Sequence, residues 1–309
     1  MRRVLLVLAC VLAFAVSAST AGAATSVGPI PGTWGGTITA TNGEQVTIDV
    51  STEIPVDPAL QLEWADFMTS LKHGKELANV TVVLESLRLV QRQCGRSALA
   101  CYFGSTQTLY APAEDVQGDA AAKSIVAHEY GHHIANSESN APWVSLDWGT
   151  KRWATAMGIC SRVKIGQLYP GDERGFYTFN PGEAFAESYR LLNEQLLGLA
   201  QTPWEVVDTS LQPSQAALDA LRADIATPWV GPKLTTRTGS FSKLSKATKK
   251  TFTIATPLDG TIAVSVKSAR TGAYKAKAAV AEVCGQRTVA VTVTRVKGYG
   301  PFTLTVSTP

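Results

Sequence analysis

Past its N-terminal segment the chain has no apolar run long enough to cross a bilayer, which excludes membrane-spanning helices there. It has no repeat of fixed period, so a solenoid is excluded. Charged residues make up only 17% of the chain, and the basic ones neither form a stripe nor alternate with aromatics, so nothing in the sequence argues for nucleic acid as a partner. A hydrophobic content of 45% excludes a disordered chain and describes an ordinary globular one. Histidine is scarce, with four in 309 residues, and three of the four fall between His128 and His133.

What the N-terminus does hold is a leader pattern. Arg2 and Arg3 precede an apolar run from Val4 to Val16, and Ala21-Gly22-Ala23 supplies small residues at a cleavage position. This order predicts a signal peptide over residues 1–23, a secreted or extracellular protein, and no stable membrane insertion once the leader is removed. Without Arg2 and Arg3, 26 of the 28 basic residues remain against 25 acidic ones, a nearly neutral balance. Cys10 lies in the leader, leaving Cys94, Cys101, Cys160 and Cys284. An even count in an exported chain favours disulfides, and four cysteines allow three complete pairings. Cys94 with Cys101 is the expected pair, because a short loop closes readily. Cys160 and Cys284 either pair across the chain or stay free.

The organisation predicted is α+β followed by all-β. Residues 24–55 read as a strand region or a short prosegment, with alternation from Gln45 to Val50. Residues 56–226 read as one domain. Asp57-Pro58 opens an amphipathic helix through Leu60, Trp64, Phe67, Met68 and Leu71. Val80 to Val90 reads as a strand, and Ala98 to Tyr110 as a second strand or a pair. Asp119 is placed to cap a helix through His128 and His132 to about Asn136. Trp143, Trp148 and Trp153 read as core residues. Asn180-Pro181 opens a further helix, and another covers Ser214 to Ile225. Residues 227–239 are rich in Pro, Gly and Thr and read as a linker, and 240–309 read as an all-β sandwich with turns at Asp259-Gly260, Thr271-Gly272 and Gly298 to Gly300.

The chemistry is concentrated in His128-Glu129-Tyr130-Gly131-His132. Residues four apart share a helix face, so His128 and His132 can offer ring nitrogens to one ion. Glu129 is placed to work on a water bound to that ion, as general base and then general acid. Gly131 leaves space beside this face. His133 points to another face, and His73 reads as a surface histidine at a helix end. A single catalytic Zn2+ is the expected cofactor, and a third ligand is required. The positions where a metzincin would supply glycine and histidine hold Ala135 and Glu138.

Downstream, Asn180-Pro181-Gly182-Glu183-Ala184-Phe185-Ala186-Glu187, followed by Tyr189 and Arg190, resembles the glutamate-ligand helix of the gluzincin metallopeptidases, and most closely their compact lethal-factor-like catalytic domains. The resemblance spans about Lys123 to Asn193. It implies a zincin-like domain with a small sheet and an active-site helix, and hydrolysis of peptide bonds in a protein or peptide substrate. On this chain it makes Glu183 the third ligand and Glu187 the partner that orients a histidine ligand. It gives Tyr177 the role of stabilising the oxyanion, with Tyr169 as second choice, and makes the Tyr102 to Tyr110 strand the edge along which substrate lies. The thermolysin Asn-Glu pair is absent.

Alternatives stay open at this stage. Glu183 sits three residues after Asn180, where a capping-box glutamate belongs, and Glu187 is the rival ligand. Tyr177 also fits as a packed aromatic between Phe176 and Phe179. The last domain resembles prepeptidase C-terminal modules and is a candidate for binding a surface or polymer. Other readings of the whole are an extracellular binding or adhesion protein with a non-catalytic zinc site, and a zinc amidase acting on cell-wall peptide.

Overall fold

The computed structural model describes residues 30–113, 119–268 and 273–309. The leader expected over 1–23, the turn at Thr271-Gly272 and the Asp119 side chain expected to cap a helix lie outside the described residues.

An α/β part comes first. The hairpin β1 (Thr33–Thr39) and β2 (Gln45–Ser51) buries Val46, Ile48 and Val50 on a five-stranded sheet. Both strands therefore lie within residues 24–55, and their apolar residues join the main core. Helix α1 (Pro58–Ser70) starts where Asp57 accepts a hydrogen bond from Ala59 N at 2.9 Å, with proline at the first helical position. Strand β3 (Thr81–Glu85) is followed by helix α2 (Leu87–Cys94), then by β4 (Cys101–Phe103) and β5 (Thr108–Pro112). The strand expected over Val80 to Val90 is thus half the expected length. The β-branched run ends at Val83, and from Leu87 the sequence is leucine, arginine and glutamine, good helix formers that bury Leu89 and Val90.

The sheet order is β1-β2-β3-β5-β4, with β2, β3 and β5 parallel and the edges β1 and β4 antiparallel to their neighbours. A disulfide between Cys94 and Cys101, Cα atoms 5.7 Å apart, ties the end of α2 to the start of β4. Helix α3 (Asp119–Ser137) follows β5. Three short helices, α4 (Ser145–Trp148), α5 (Lys151–Ala156) and α6 (Ile159–Lys164), are separated by Gly149 and Gly158 at φ 75° and 65°. Trp153 is fully buried edge-on to Phe185, while Trp143 and Trp148 stack at 4.5 Å and are only partly covered. Helix α7 (Pro181–Leu197) is buried from Pro181 to Glu194, and α8 (Gln215–Ala226) places the buried Asp224 where it accepts from the backbone of Arg152 and Trp153 at the start of α5.

The remaining chain is all β. Strands β6 (Lys233–Phe241), β7 (Lys249–Thr256), β8 (Gly260–Thr261), β9 (Ala263–Ser268), β10 (Ala273–Ala278), β11 (Glu282–Val283), β12 (Arg287–Lys297) and β13 (Gly300–Thr308) follow in order. They form three-stranded sheets β10-β12-β7 and β6-β13-β9, with a small β11-β8 ladder. Strand β6 begins at Lys233, inside the stretch read as a linker. Alternate residues from both sheets, among them Phe241, Ile254, Val291, Phe302 and Leu304, form a second core separate from the first. A disulfide between Cys160 and Cys284, an ion pair of Lys164 with Glu282 at 2.8 Å, and a bond from Asp259 N to Thr155 Oγ1 at 3.0 Å join this part to α5 and α6.

Candidate metal centre

The centre is built by the contact of α3 with α7. At Gly131 a Cβ would stand 2.8 Å from Ala186 Cα and 3.1 Å from Tyr189 Cβ, so only glycine lets the two backbones come this close. The space left by Gly131 is therefore filled by α7 rather than lying open beside the metal face. This approach carries Glu183 to the two histidines.

His128, His132 and Glu183 each present one ligand atom, and the three atoms lie within 4.8 Å of one another. His128 Nε2 is 3.2 Å from Glu183 Oε2, and His132 Nε2 is 3.4 Å from Glu183 Oε1. Two imidazole nitrogens and a carboxylate are a donor set suited to zinc, and this three-ligand site is consistent with a single zinc ion. Burial works against ionisation of Glu183, but His132 and His128 outweigh it and hold the carboxyl well below its usual range. The same pairing raises His132 despite its burial. Cys160, Cys284 and Glu282 also converge, but both sulfurs are joined in the disulfide.

Behind the histidine lies a buried charge relay. Glu187 Oε1 is 2.8 Å from His128 Nδ1, which leaves Nε2 facing Glu183. Arg190 binds Glu187 through Nε at 3.1 Å and Glu194 through Nη1 at 2.7 Å, and Ser124 Oγ donates to Glu194 at 2.7 Å. Burial raises Glu187, but His128 and Arg190 prevail and keep it ionised. An anion so fixed accepts the Nδ1 proton of His128, sets the ring tautomer and strengthens Nε2 as a donor to a metal. The three charges of this relay, on Glu187, Arg190 and Glu194, would be costly if unpaired, and each has its partner.

Glu129 is half-buried beside the site. Burial pushes its pKa up, His128 and His132 draw it down, and the backbone of Tyr102 on the edge strand β4 hydrogen-bonds it. Tyr177 donates from its hydroxyl to Glu183 Oε2 at 2.7 Å, so the residue chosen for the oxyanion stands at the centre. Tyr169 does not: its hydroxyl donates to Gly166 O, and its ring stacks on Phe176 at 3.9 Å.

The capping alternative for Glu183 has a direct answer in the backbone. Asn180 caps α7 by accepting from Gly182 N at 3.0 Å, while Asn180 N donates to Tyr177 O rather than to Glu183. Glu183 is left free for the histidines. His133 is fully buried, between the Tyr102 hydroxyl and Glu76 O. His73, expected on the surface, is a correction: its side chain is 13% exposed, because the ring turns back onto the last turn of α1 and meets Thr69 O, Gly74 O and the Glu44 carboxylate. Glu194 and Ser124 went unnoticed in the sequence. The only signal for Glu194 was its position four residues after Arg190 on one helix face.

No family model, no curated protein and no solved structure matches the chain.

Proposed function

We propose that this protein is a secreted zinc-dependent peptidase of gluzincin type. The observation that carries the proposal is the convergence of His128, His132 and Glu183 within 4.8 Å, with Glu129 on the same helix turn. Zinc bound there would acidify a water molecule to a pKa of about 7 and polarise the carbonyl of the scissile bond. With zinc held there, Glu129 would be the residue to take a proton from the bound water and return it to the departing amine. Tyr177 turns its hydroxyl from Glu183 to the developing oxyanion. Glu187, held by Arg190, keeps His128 oriented. Strand β4 is a sheet edge whose Tyr102 backbone already meets Glu129, so an extended peptide lying along it would run beside the general base.

Three protein ligands leave one position open, as catalytic zinc requires, whereas structural zinc closes all four. Export is supported by two disulfides, which persist in oxidising surroundings. The test is paired: bound zinc and peptide cleavage are measured for the native chain and for Glu129→Gln. The reading expects zinc in both and cleavage in the native chain alone. Zinc in both with cleavage in neither would make the protein a binding protein with a non-catalytic site.

A further inference from the structure

The near-neutral total charge conceals a division. Residues 24–230 carry 23 acidic and 13 basic side chains, whereas residues 231–309 carry 13 basic and only 2 acidic ones. Both acids of the β part, Asp259 and Glu282, sit at its junction with α5 and α6, bonded to Thr155 and Lys164. Among the described residues, the Lys164–Glu282 pair is the one ion pair that involves the β part. Its own lysines are exposed and unneutralised.

The opposite end of the β part has a different chemistry. Strand β6 runs from Lys233, paired with Thr308 near the junction, to Phe241, paired with Gly300. Its nine residues span about 30 Å at the usual strand rise, so the far loops stand well away from the metal centre's side. Two segments meet there, the loop 242–248 and the end of β12 with its turn into β13, 296–299. Arg295 joins them, donating from its guanidinium to Ser242 O and Ser245 O and from its backbone to Thr248 O. Lys243 Nζ lies 6.0 Å from the Tyr299 ring centroid, across the same gap.

On these tips stand three large apolar side chains: Leu244 is 93% exposed, Val296 54% and Tyr299 49%. Lys243, Lys246 and Lys297 surround them, all exposed. Lys249 and Lys250 follow directly at the start of β7, and the row Lys275, Thr294, Lys249 crosses the adjoining sheet.

A cationic surface alone suits any polyanion. Leucine and valine held in water amid lysines do not serve a dissolved polyanion, whereas they suit an interface whose charged layer covers an apolar interior. The combination is that of a peripheral membrane contact, in which lysines meet anionic headgroups and apolar tips pass below them. We therefore propose that the loop 242–248 and the hairpin tip 296–299 dock the β part on an anionic lipid surface, with Leu244, Val296 and Tyr299 entering the headgroup region. Docking would hold the α/β part, with its opposite net charge, away from the membrane. The proposal is independent of the peptidase reading.

The test is flotation of the full chain with phosphatidylcholine vesicles, with and without phosphatidylglycerol. We expect recovery with the anionic vesicles only, lost in high salt. Lys243→Ser with Lys246→Ser should lower partitioning about 25-fold, near fivefold for each lysine. Leu244→Ser should lower it about tenfold. These side chains are exposed, and unchanged thermal unfolding confirms intact variants. Equal recovery with neutral vesicles, or none with either, overturns the proposal. So does anionic recovery unmoved by Leu244→Ser, in which case competition by heparin identifies a polyanion site instead.

Discussion

Glu138, just beyond the C-terminal end of α3, lies in a setting that should make stability depend on pH in a calculable way. Its Oε2 is buried without a hydrogen-bond partner. Burial first, then Asp224 and Glu76, push its carboxyl from the ordinary 4.5 up to about 8, with Arg152 opposing. Between these two values the native chain keeps a proton that the unfolded chain has released. Stability therefore falls as pH rises from 4.5 to about 8, and the loss is complete above that window. Each pH unit inside it is worth about 1.4 kcal/mol, so at pH 7 the carboxyl lowers stability by about 3 kcal/mol. Glu138→Gln replaces the acid with a neutral group of the same shape. It should be stabilised by about 3 kcal/mol at pH 7 and unchanged near pH 4, where the carboxyl is protonated in both states. Urea unfolding of both chains at the two pH values reads this directly, provided the m-values agree. Any contribution from bound metal cancels in the difference. A gain equal at both pH values, or a loss at pH 7, would refute the reasoning.

Three further outcomes follow from the same contacts. Glu187→Gln should weaken zinc binding 10- to 100-fold, on the order expected for the partner of a histidine ligand, as read by competition with a chromophoric chelator. Tyr177→Phe should lower kcat by about 100-fold with zinc content and KM retained, and an unchanged kcat would remove Tyr177 from the chemistry. Replacing Cys160 and Cys284 by serine removes a link across 124 residues and should cost about 5 kcal/mol on chain entropy, against about 2 for the Cys94–Cys101 link across 7. Equal losses in denaturant unfolding would show that loop length does not govern either bond.

Much of this centre is legible in the sequence alone. Four-residue spacing on a helix is a local property, so His128 and His132 declared themselves, and the Asn180-Pro181 start placed Glu183 and Glu187 on successive turns of α7. Alternation of apolar residues with period two, as in Phe252/Ile254, Val264/Val266, Val289/Val291/Val293 and Phe302/Leu304/Val306, is likewise local and marks β7, β9, β12 and β13. What stayed hidden depends on contacts between distant segments. That Glu183 does not close a capping box depends on Asn180 N finding Tyr177 O, a bond made by the turn before α7. Gly131 looked like room for a metal, yet the room is taken by Ala186 and Tyr189. Helix α2 was masked by the valine and leucine run it shares with β3, where an apolar stretch suits either period. The pairing of Cys160 with Cys284 needs α6 and β11 side by side, which no spacing reveals. The charge division was open to a count by segment, but a total near zero hides it.

The central claim is that Glu183 completes a metal site with His128 and His132. Zinc titration of three chains tests it most directly: native, Glu183→Gln, and Glu173→Gln as a control. Glu173 is an exposed carboxylate nearby that bonds Asn180 Nδ2 at 2.9 Å. The account predicts one tightly held zinc in the native chain and in Glu173→Gln, and its loss or severe weakening in Glu183→Gln. Undiminished zinc binding by Glu183→Gln would contradict it.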